Sequence, residues 1–518
     1  MADRAQPVRP GAGIAAGLLV GAVVLGALAA VFWRAGGAVS PGPADWAAVR
    51  FTVVQALVSA GLSLALAIPV ARALARRSFP GRSLLVTLLG APFLLPAIVA
   101  VLGLLAVFGR SGWLNAGLGL VGLPPIQIYG FHGVVLAHVF FNLPLATRLV
   151  LQGWAEIPAE RFRLAAQLDF GPGETWRMLE LPMLRRIAPG AFAVIFGICL
   201  TSFAVALTLG GGPRATTVEL AIYQAFQFDF DLGRAAFLAV LQIALTLGAA
   251  LIALRLSAGE GFGAGLDRAR ARWDADGWAL RATDAAAIAL AALFLVVPMA
   301  AVAAKGLPGL LALPGSVWRA ALTSLGVAAL SLGVLLVLAL PMVAALSGGR
   351  RRWIDLAGLL GLAVSPLALG TGLFILVYPV ANPAALALPV TALVNAIMAL
   401  PFALRILVPA ARGIVADYGR LGAQLDMGRG PFFWRILLPR LAPQLGFAAG
   451  LGAALSLGDL GVIALFANHE EATLPLQIYR LMGAYRMEAA SGAALLLMAL
   501  AFGTFWLCDQ KGRSHAAS

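Results

Sequence analysis

Side chains that could carry out chemistry are few in this sequence of 518 residues, and they rarely stand together. The four histidines, His132, His138, His469 and His515, are scattered, and only His138 falls clearly inside a long apolar run, where a hydrogen-bonded helix contact is the expected role. Cys199 and Cys508 lie far apart in apolar stretches and read as small packing residues, with no disulfide and no metal. The two lysines, Lys305 and Lys511, are each followed by glycine. A phosphate-cradling loop needs a lysine followed by Ser or Thr after a glycine-rich turn, so the chain is not expected to hydrolyse ATP itself. No paired carboxylates, His-Glu-x-x-His pattern or Ser/His set stands in the apolar runs, and no catalytic residue is expected. One acid does stand in such a run, Asp459 within Ser456-Leu457-Gly458-Asp459-Leu460-Gly461. A carboxylate inside a membrane is costly unless it is paired or wet. Asp459 therefore reads either as a counter-ion on a path for a cation or as a cap on the freed amides of a helix interruption.

The elements around these residues are membrane spans. Apolar types make up 61% of the chain, charged types only 12%, and mean hydropathy is +0.92. A soluble domain carries about a quarter charged residues, which argues against a water-soluble enzyme. Runs long enough to cross a bilayer fall at 11–33, 51–74, 84–108, 131–151, 188–210, 234–254, 282–304, 320–346, 355–379, 385–408, 441–466 and 489–508. Phe32-Trp33-Arg34 follows the first run where a small-residue cleavage site would stand, so that run is expected to be retained. The net charge of +14 does not point to nucleic acid, because the basic residues sit between the spans. With the N-terminus inside, 28 of the 37 basic residues fall in inner segments and nine in outer ones, which predicts that both termini face the cytoplasm.

The chain also repeats itself at an offset of 257 residues. Leu143-Pro144-Leu145-Ala146-Thr147-Arg148 recurs as Leu400-Pro401-Phe402-Ala403-Leu404-Arg405. Arg163-Leu164-Ala165-Ala166-Gln167-Leu168-Asp169-Phe170-Gly171 recurs as Arg420-Leu421-Gly422-Ala423-Gln424-Leu425-Asp426-Met427-Gly428, and Leu181-Pro182 as Leu438-Pro439. The predicted fold is all-α and polytopic: about twelve helices in two parallel six-helix repeats, residues 1–258 and 282–518, joined by a polar linker over 259–281. Six spans per repeat is an even number, so both copies of the loop face the same side. Each loop reads as a short helix, a tight turn in which a glycine supplies φ > 0, and a second helix that begins near Pro182 or Pro439. Lipid contact requires only that one side of a helix be apolar, whereas detailed duplication suggests two docking sites for one kind of partner.

With these loops the sequence resembles the inner-membrane permeases of ATP-binding-cassette importers. That family carries a cytoplasmic E-A-A-x3-G-x9-I-x-L-P loop whose coupling helix seats in an ATPase subunit. Leu179-x-Leu181-Pro182 and Ile436-x-Leu438-Pro439 match its end. Counting back places Asp169 and Asp426 at the family glycine, and Arg163-Leu164-Ala165 and Arg420-Leu421-Gly422 at Glu-Ala-Ala, so the glutamate is absent from both copies. Asp enters the left-handed region more easily than most residues. The chain is most similar to the fused, double-length permeases for thiamine or its phosphates, with Ser456–Phe466 and Thr473–Arg480 adding to the likeness. Ferric-iron permeases share that layout, and a proton- or sodium-coupled transporter with two six-helix halves is the alternative from another class. The resemblance implies a bacterial inner-membrane protein that binds no cofactor of its own. It implies two partner ATPase subunits that use ATP and Mg at the cytoplasmic face, an extracytoplasmic binding protein and a small-molecule substrate. It also implies that Arg163, Leu164, Ala165, Ala166, Asp169, Gly171, Leu181 and Pro182, with Arg420, Leu421, Gly422, Ala423, Asp426, Gly428, Leu438 and Pro439, form the coupling surface.

Overall fold

The computed structural model describes residues 11–36, 42–90, 94–212, 215–256, 272–275, 277–349, 351–466 and 472–517. Arg4, Arg9, Arg214, Arg350, His469 and the linker residues Asp267, Arg268, Arg270 and Asp276 lie outside the described residues. The described chain is helical, with no strand among the described residues. In the first half the order is α1 (Gly11–Ala35), α2 (Pro43–Arg76), α3 (Arg82–Leu88), α4 (Ala97–Phe108), α5 (Trp113–Leu120) and α6 (Phe131–Glu156). There follow α7 (Ala159–Gln167), α8 (Pro172–Thr175), α9 (Leu181–Leu200), α10 (Phe203–Leu209), α11 (Val218–Gln227) and α12 (Leu232–Leu256). The second half runs α13 (Trp278–Leu311), α14 (Gly315–Ser347), α15 (Arg352–Ala363), α16 (Pro366–Val377), α17 (Ala387–Gln424), α18 (Arg429–Phe432) and α19 (Leu438–Arg440). It closes with α20 (Ala442–Leu457), α21 (Gly461–Phe466), α22 (Leu474–Gly483) and α23 (Met487–Ala517).

Among the described residues eleven helical segments are long and apolar enough to cross a membrane, and the pair α15–α16, bent by 99°, can make a twelfth. The bend falls at Ser365-Pro366, where the residue before proline is pushed out of the helical region, and Ser365 caps α16 by accepting from the Ala368 amide. The first half breaks at the matching place. The expected span 84–108 is not one helix: α3 stops before Leu95-Pro96 and the apolar segment resumes as Ala97–Leu120. The expected spans 188–210 and 441–466 begin in their helices but break inside, at Thr201-Ser202 and at Gly458-Asp459-Leu460.

The halves interlock through their first helices. α1 packs on α14, α15 and α16 of the second half, and α13 packs on α2 and α4 of the first. Glycines allow the closest approaches. A Cβ on Gly372 of α16 would meet the backbone of Ala27 in α1, and one on Gly103 of α4 would lie 2.6 Å from the Pro298 carbonyl oxygen in α13. Lipid supplies no hydrophobic drive between helices, so such close packing is what holds the halves together. Of the isolated polar residues, His138 is buried and its Nδ1 lies 3.2 Å from the Ser59 hydroxyl, while Cys199 and Cys508 are unbridged.

Candidate functional site

Both loops end their first helix with the same device. After α7 the amide of Asp169 donates to the Ala166 carbonyl (3.2 Å) and that of Phe170 to the Ala165 carbonyl (3.0 Å). After α17, Asp426 donates to Ala423 (3.2 Å) and Met427 to Gly422 (2.9 Å). These paired bonds satisfy the orphan carbonyls of a helix end and require a left-handed residue just beyond it. Asp169 (φ 55°) and Asp426 (φ 47°) supply it. The expectation that a glycine does so is corrected: Gly171 (φ −76°) and Gly428 (φ −61°) are extended and precede α8 and α18. Before each Leu-Pro the chain widens into one π-turn. Pro182 and Pro439 have no N–H to close an ordinary turn, and the amides of Leu181 and Leu438 reach five residues back, to Trp176 and Phe433.

Within each loop the predicted residues divide by exposure. Ala165 and Gly422 are buried, with Gly422 lying under the fully buried Phe432 ring, whereas Ala166, Ala423, Arg163, Arg420, Asp169 and Asp426 are exposed. Gly171, Leu181 and Leu438 are half-buried; Gly428, Pro182 and Pro439 are exposed. The exposed face also carries Leu164 and Leu168, and in the second copy Leu421 and Leu425. A leucine pair one turn apart around an alanine is an apolar ridge, and here it occurs once in each loop.

The loops are mounted differently. Pro158 keeps Ile157 extended and separates α6 from α7. The second half has Val415 at the equivalent position, so its span runs unbroken into the loop through the 38 residues of α17. The first loop is tied instead by charge. Glu180, with no exposure, accepts from Arg72 Nε of α2 (2.7 Å), from Trp154 Nε1 of α6 (3.1 Å) and from Arg272 Nη1 of the linker (2.5 Å). Arg272 is held in turn by both oxygens of Asp274, and Trp273 Nε1 donates to the Phe170 carbonyl at the loop's turn (2.9 Å). The second copy has Leu437 where the first has Glu180.

At the opposite end of the helices the two breaks face each other. The carbonyls freed at the end of α9 are met by glutamines: Gln55 donates to Cys199 (3.0 Å) and Gln242 to Leu200 (2.9 Å). In the second half Asp459 Oδ1 accepts from the Gly461 amide (3.2 Å), and its Oδ2, also buried, has no partner. A Cβ on Gly461 would lie 3.6 Å from the ring of Phe203, which begins α10, so the broken spans touch. Just beyond them a cavity of about 180 Å³ is lined by Leu207, Gly211, Tyr223, Gln224 and Phe228 of the first half and Tyr479 of the second. The Tyr223 ring stands edge-on to Phe203 and Phe228, with centroids 5.3 and 6.0 Å away.

No family model matches the chain. The thiamine transport system permease protein of Salmonella typhimurium is 40% identical over 536 residues, covering 100% of this chain and 99% of the relative. The protein of the same name from Escherichia coli is 40% identical over 98% of both chains. The chain belongs to the thiamine transport system permease family. A relative of that name from Haemophilus influenzae is 35% identical over 87% of the chain and 86% of its own length. The sulfate transport system permease protein of Synechococcus elongatus is 29% identical over 30% of the chain. The permease is thus of the fused, double-length importer type of the ATP-binding-cassette class.

Two features of the permease escape sequence reasoning. The Glu180–Arg272 tie joins residues 92 apart in sequence, and only the failure of Glu180 to repeat marks it. Glu219 lies between predicted spans, where an acid reads as solvated, yet α11 folds back and buries it completely. Its apolar neighbours Val218, Leu220, Ala221 and Ile222 are the available signal.

Proposed function

We propose that this permease forms the path for thiamine, or a thiamine phosphate, across a bacterial inner membrane, and that its two loops seat two ATPase subunits at the cytoplasmic face. Both termini then lie in the cytoplasm, and the partner subunits use ATP and Mg while this chain binds no cofactor. A binding protein outside the membrane delivers the substrate. The observation that carries the reading is the duplicated loop: the same turn at Asp169 and Asp426, with the ridges Leu164–Leu168 and Leu421–Leu425 both exposed.

The mounting of the loops supports a mechanism. When ATP draws the two ATPase subunits together, the second loop moves α17 directly, because helix and loop are continuous. The first loop acts through Glu180 on α2 and α6, and through Arg272 on the start of the second half. Movement of the spans opens or closes the contact between the two breaks. Thiamine is an aromatic cation, and the faces of Tyr223, Tyr479 and Phe228 suit it. Asp459 at the second break is the expected carboxylate on that path, with capping of α21 as its other role.

Replacing Ala166 or Ala423 with tryptophan tests the coupling. A bulky side chain between the leucines is expected to release the ATPase from a folded permease. Retained ATPase association and transport with both loops replaced would overturn the assignment.

A further inference from the structure

Glu219 has no exposed surface, and neither of its carboxylate oxygens makes a hydrogen bond. The polar side chains that act on it are Ser365, which caps α16 in the second half, and Gln242 of α12 in the first. The residue thus lies where the halves meet. The helices packed on α11 are α2, α10, α12, α16 and α21. Among the described residues no ion pair joins it to a charged group: Arg234 of α12 and Asp45 of α2 pair with each other (2.9 Å), Arg50 of α2 is exposed, and Asp459 ahead of α21 faces the Gly461 amide.

Burial sets the state of the acid. The Gln242 amide nitrogen is spent on the Leu200 carbonyl, which can only accept, so its Oε1 is the atom left over, and that atom too is buried without a partner. Glu219 is therefore fully buried with Gln242 and Ser365 as its polar neighbours and no ion pair to balance a charge. An ionised carboxylate in such a place costs far more than a neutral one. A proton on Glu219 removes that buried charge, and the Ser365 hydroxyl, whose oxygen already accepts from Ala368, can donate to a carboxyl oxygen. Leu220, Tyr223 and Gln224 on the same helix line the cavity between the halves.

We propose that Glu219 is a substrate-binding residue of the path, held neutral between Gln242 and Ser365 while the halves are closed, and ionised when they part so that it meets a small organic cation. Separation removes Ser365 and admits water, the proton passes to that water, and the carboxylate is exposed beside the aromatic wall. On reclosure the group takes up a proton again. This rests on the reading of the chain as an importer of a cation such as thiamine, and it concerns a residue other than Asp459.

The test compares the full-length permease with Glu219→Gln, reconstituted with its ATPase and binding protein in proteoliposomes. Glutamine keeps the volume and the hydrogen-bonding capacity but cannot ionise. Infrared spectra of the closed state are expected to show a protonated carboxyl band in the parent that is missing from Glu219→Gln. Thiamine uptake is expected to fall at least tenfold while ATPase association is unchanged, and Glu219→Asp is expected to restore part of it. Uptake within twofold of the parent, or no difference band, overturns the proposal. Should the parent itself import no thiamine, the cation reading fails separately, and the infrared band still decides whether Glu219 is held neutral.

Discussion

Gly422 offers a sharp test of how the loops are built. A Cβ placed there would lie 2.7 and 2.9 Å from the Phe432 ring carbons Cδ2 and Cε2, well inside contact distance. Phe432 is 1% exposed and cannot swing away. Overpacking of this kind costs about 1–3 kcal/mol, and the better helix propensity of alanine returns about 1 kcal/mol. The net loss for Gly422→Ala is therefore up to about 2 kcal/mol, and each 1.4 kcal/mol is about tenfold in the population of the native loop. The first copy solves the same problem with Ala165 and Thr175, both buried, at the equivalent positions. Gly422→Ala is expected to reduce ATPase association and to speed proteolysis of the second loop, while the double change Gly422→Ala/Phe432→Leu, which removes the clashing ring carbons but stays apolar, recovers part of both. Association is read by co-purification with the partner ATPase and loop order by limited proteolysis. A single substitution as well tolerated as the double one would refute the packing argument.

Removing Glu180 as Glu180→Leu, which copies Leu437, leaves the half-buried Arg72 without its carboxylate and the buried Arg272 with Asp274 alone. Breaking one side of a buried pair costs about 3–5 kcal/mol, so thermal unfolding should occur at clearly lower temperature, whereas Leu437→Ala should not disturb the first loop. Asp169→Gly and Asp426→Gly should preserve the turns, while valine at either place should cost about 1–2 kcal/mol from the left-handed backbone alone, measured as earlier unfolding and weaker ATPase association. Asp459→Asn keeps the cap on Gly461 but cannot balance a cation: loss of thiamine uptake with normal folding assigns the charge to transport, and unchanged uptake leaves Asp459 as a cap.

Much of this architecture is written in local pattern. The spans follow from hydropathy, and the paired loops follow from the repeat of Arg163–Gly171 at Arg420–Gly428. Proline effects are harder to place, because one proline bends, breaks or starts a helix according to its neighbours. Pro96 and Pro366 start helices, Pro158 separates the first loop from its span, and Pro144 and Pro401 sit inside unbroken helices. Propensity favours glycine at a left-handed position and so points to Gly171 and Gly428, yet the helices end at Gln167 and Gln424 with Leu168 and Leu425 as caps, which leaves the aspartate at the turn. The burial of Glu219 and Glu180 depends on contacts across long sequence separations, which no window of the sequence contains.

The central claim is that ATP, through the two loops, drives import along the path between the halves. Thiamine uptake into proteoliposomes holding the permease, its ATPase and its binding protein tests it, with ATP supplied in one sample and only a proton or sodium gradient in another. Uptake with ATP that is abolished by Ala166→Trp/Ala423→Trp, and no uptake with either gradient alone, is the predicted result. Gradient-driven uptake that needs no ATP and survives both substitutions would contradict it.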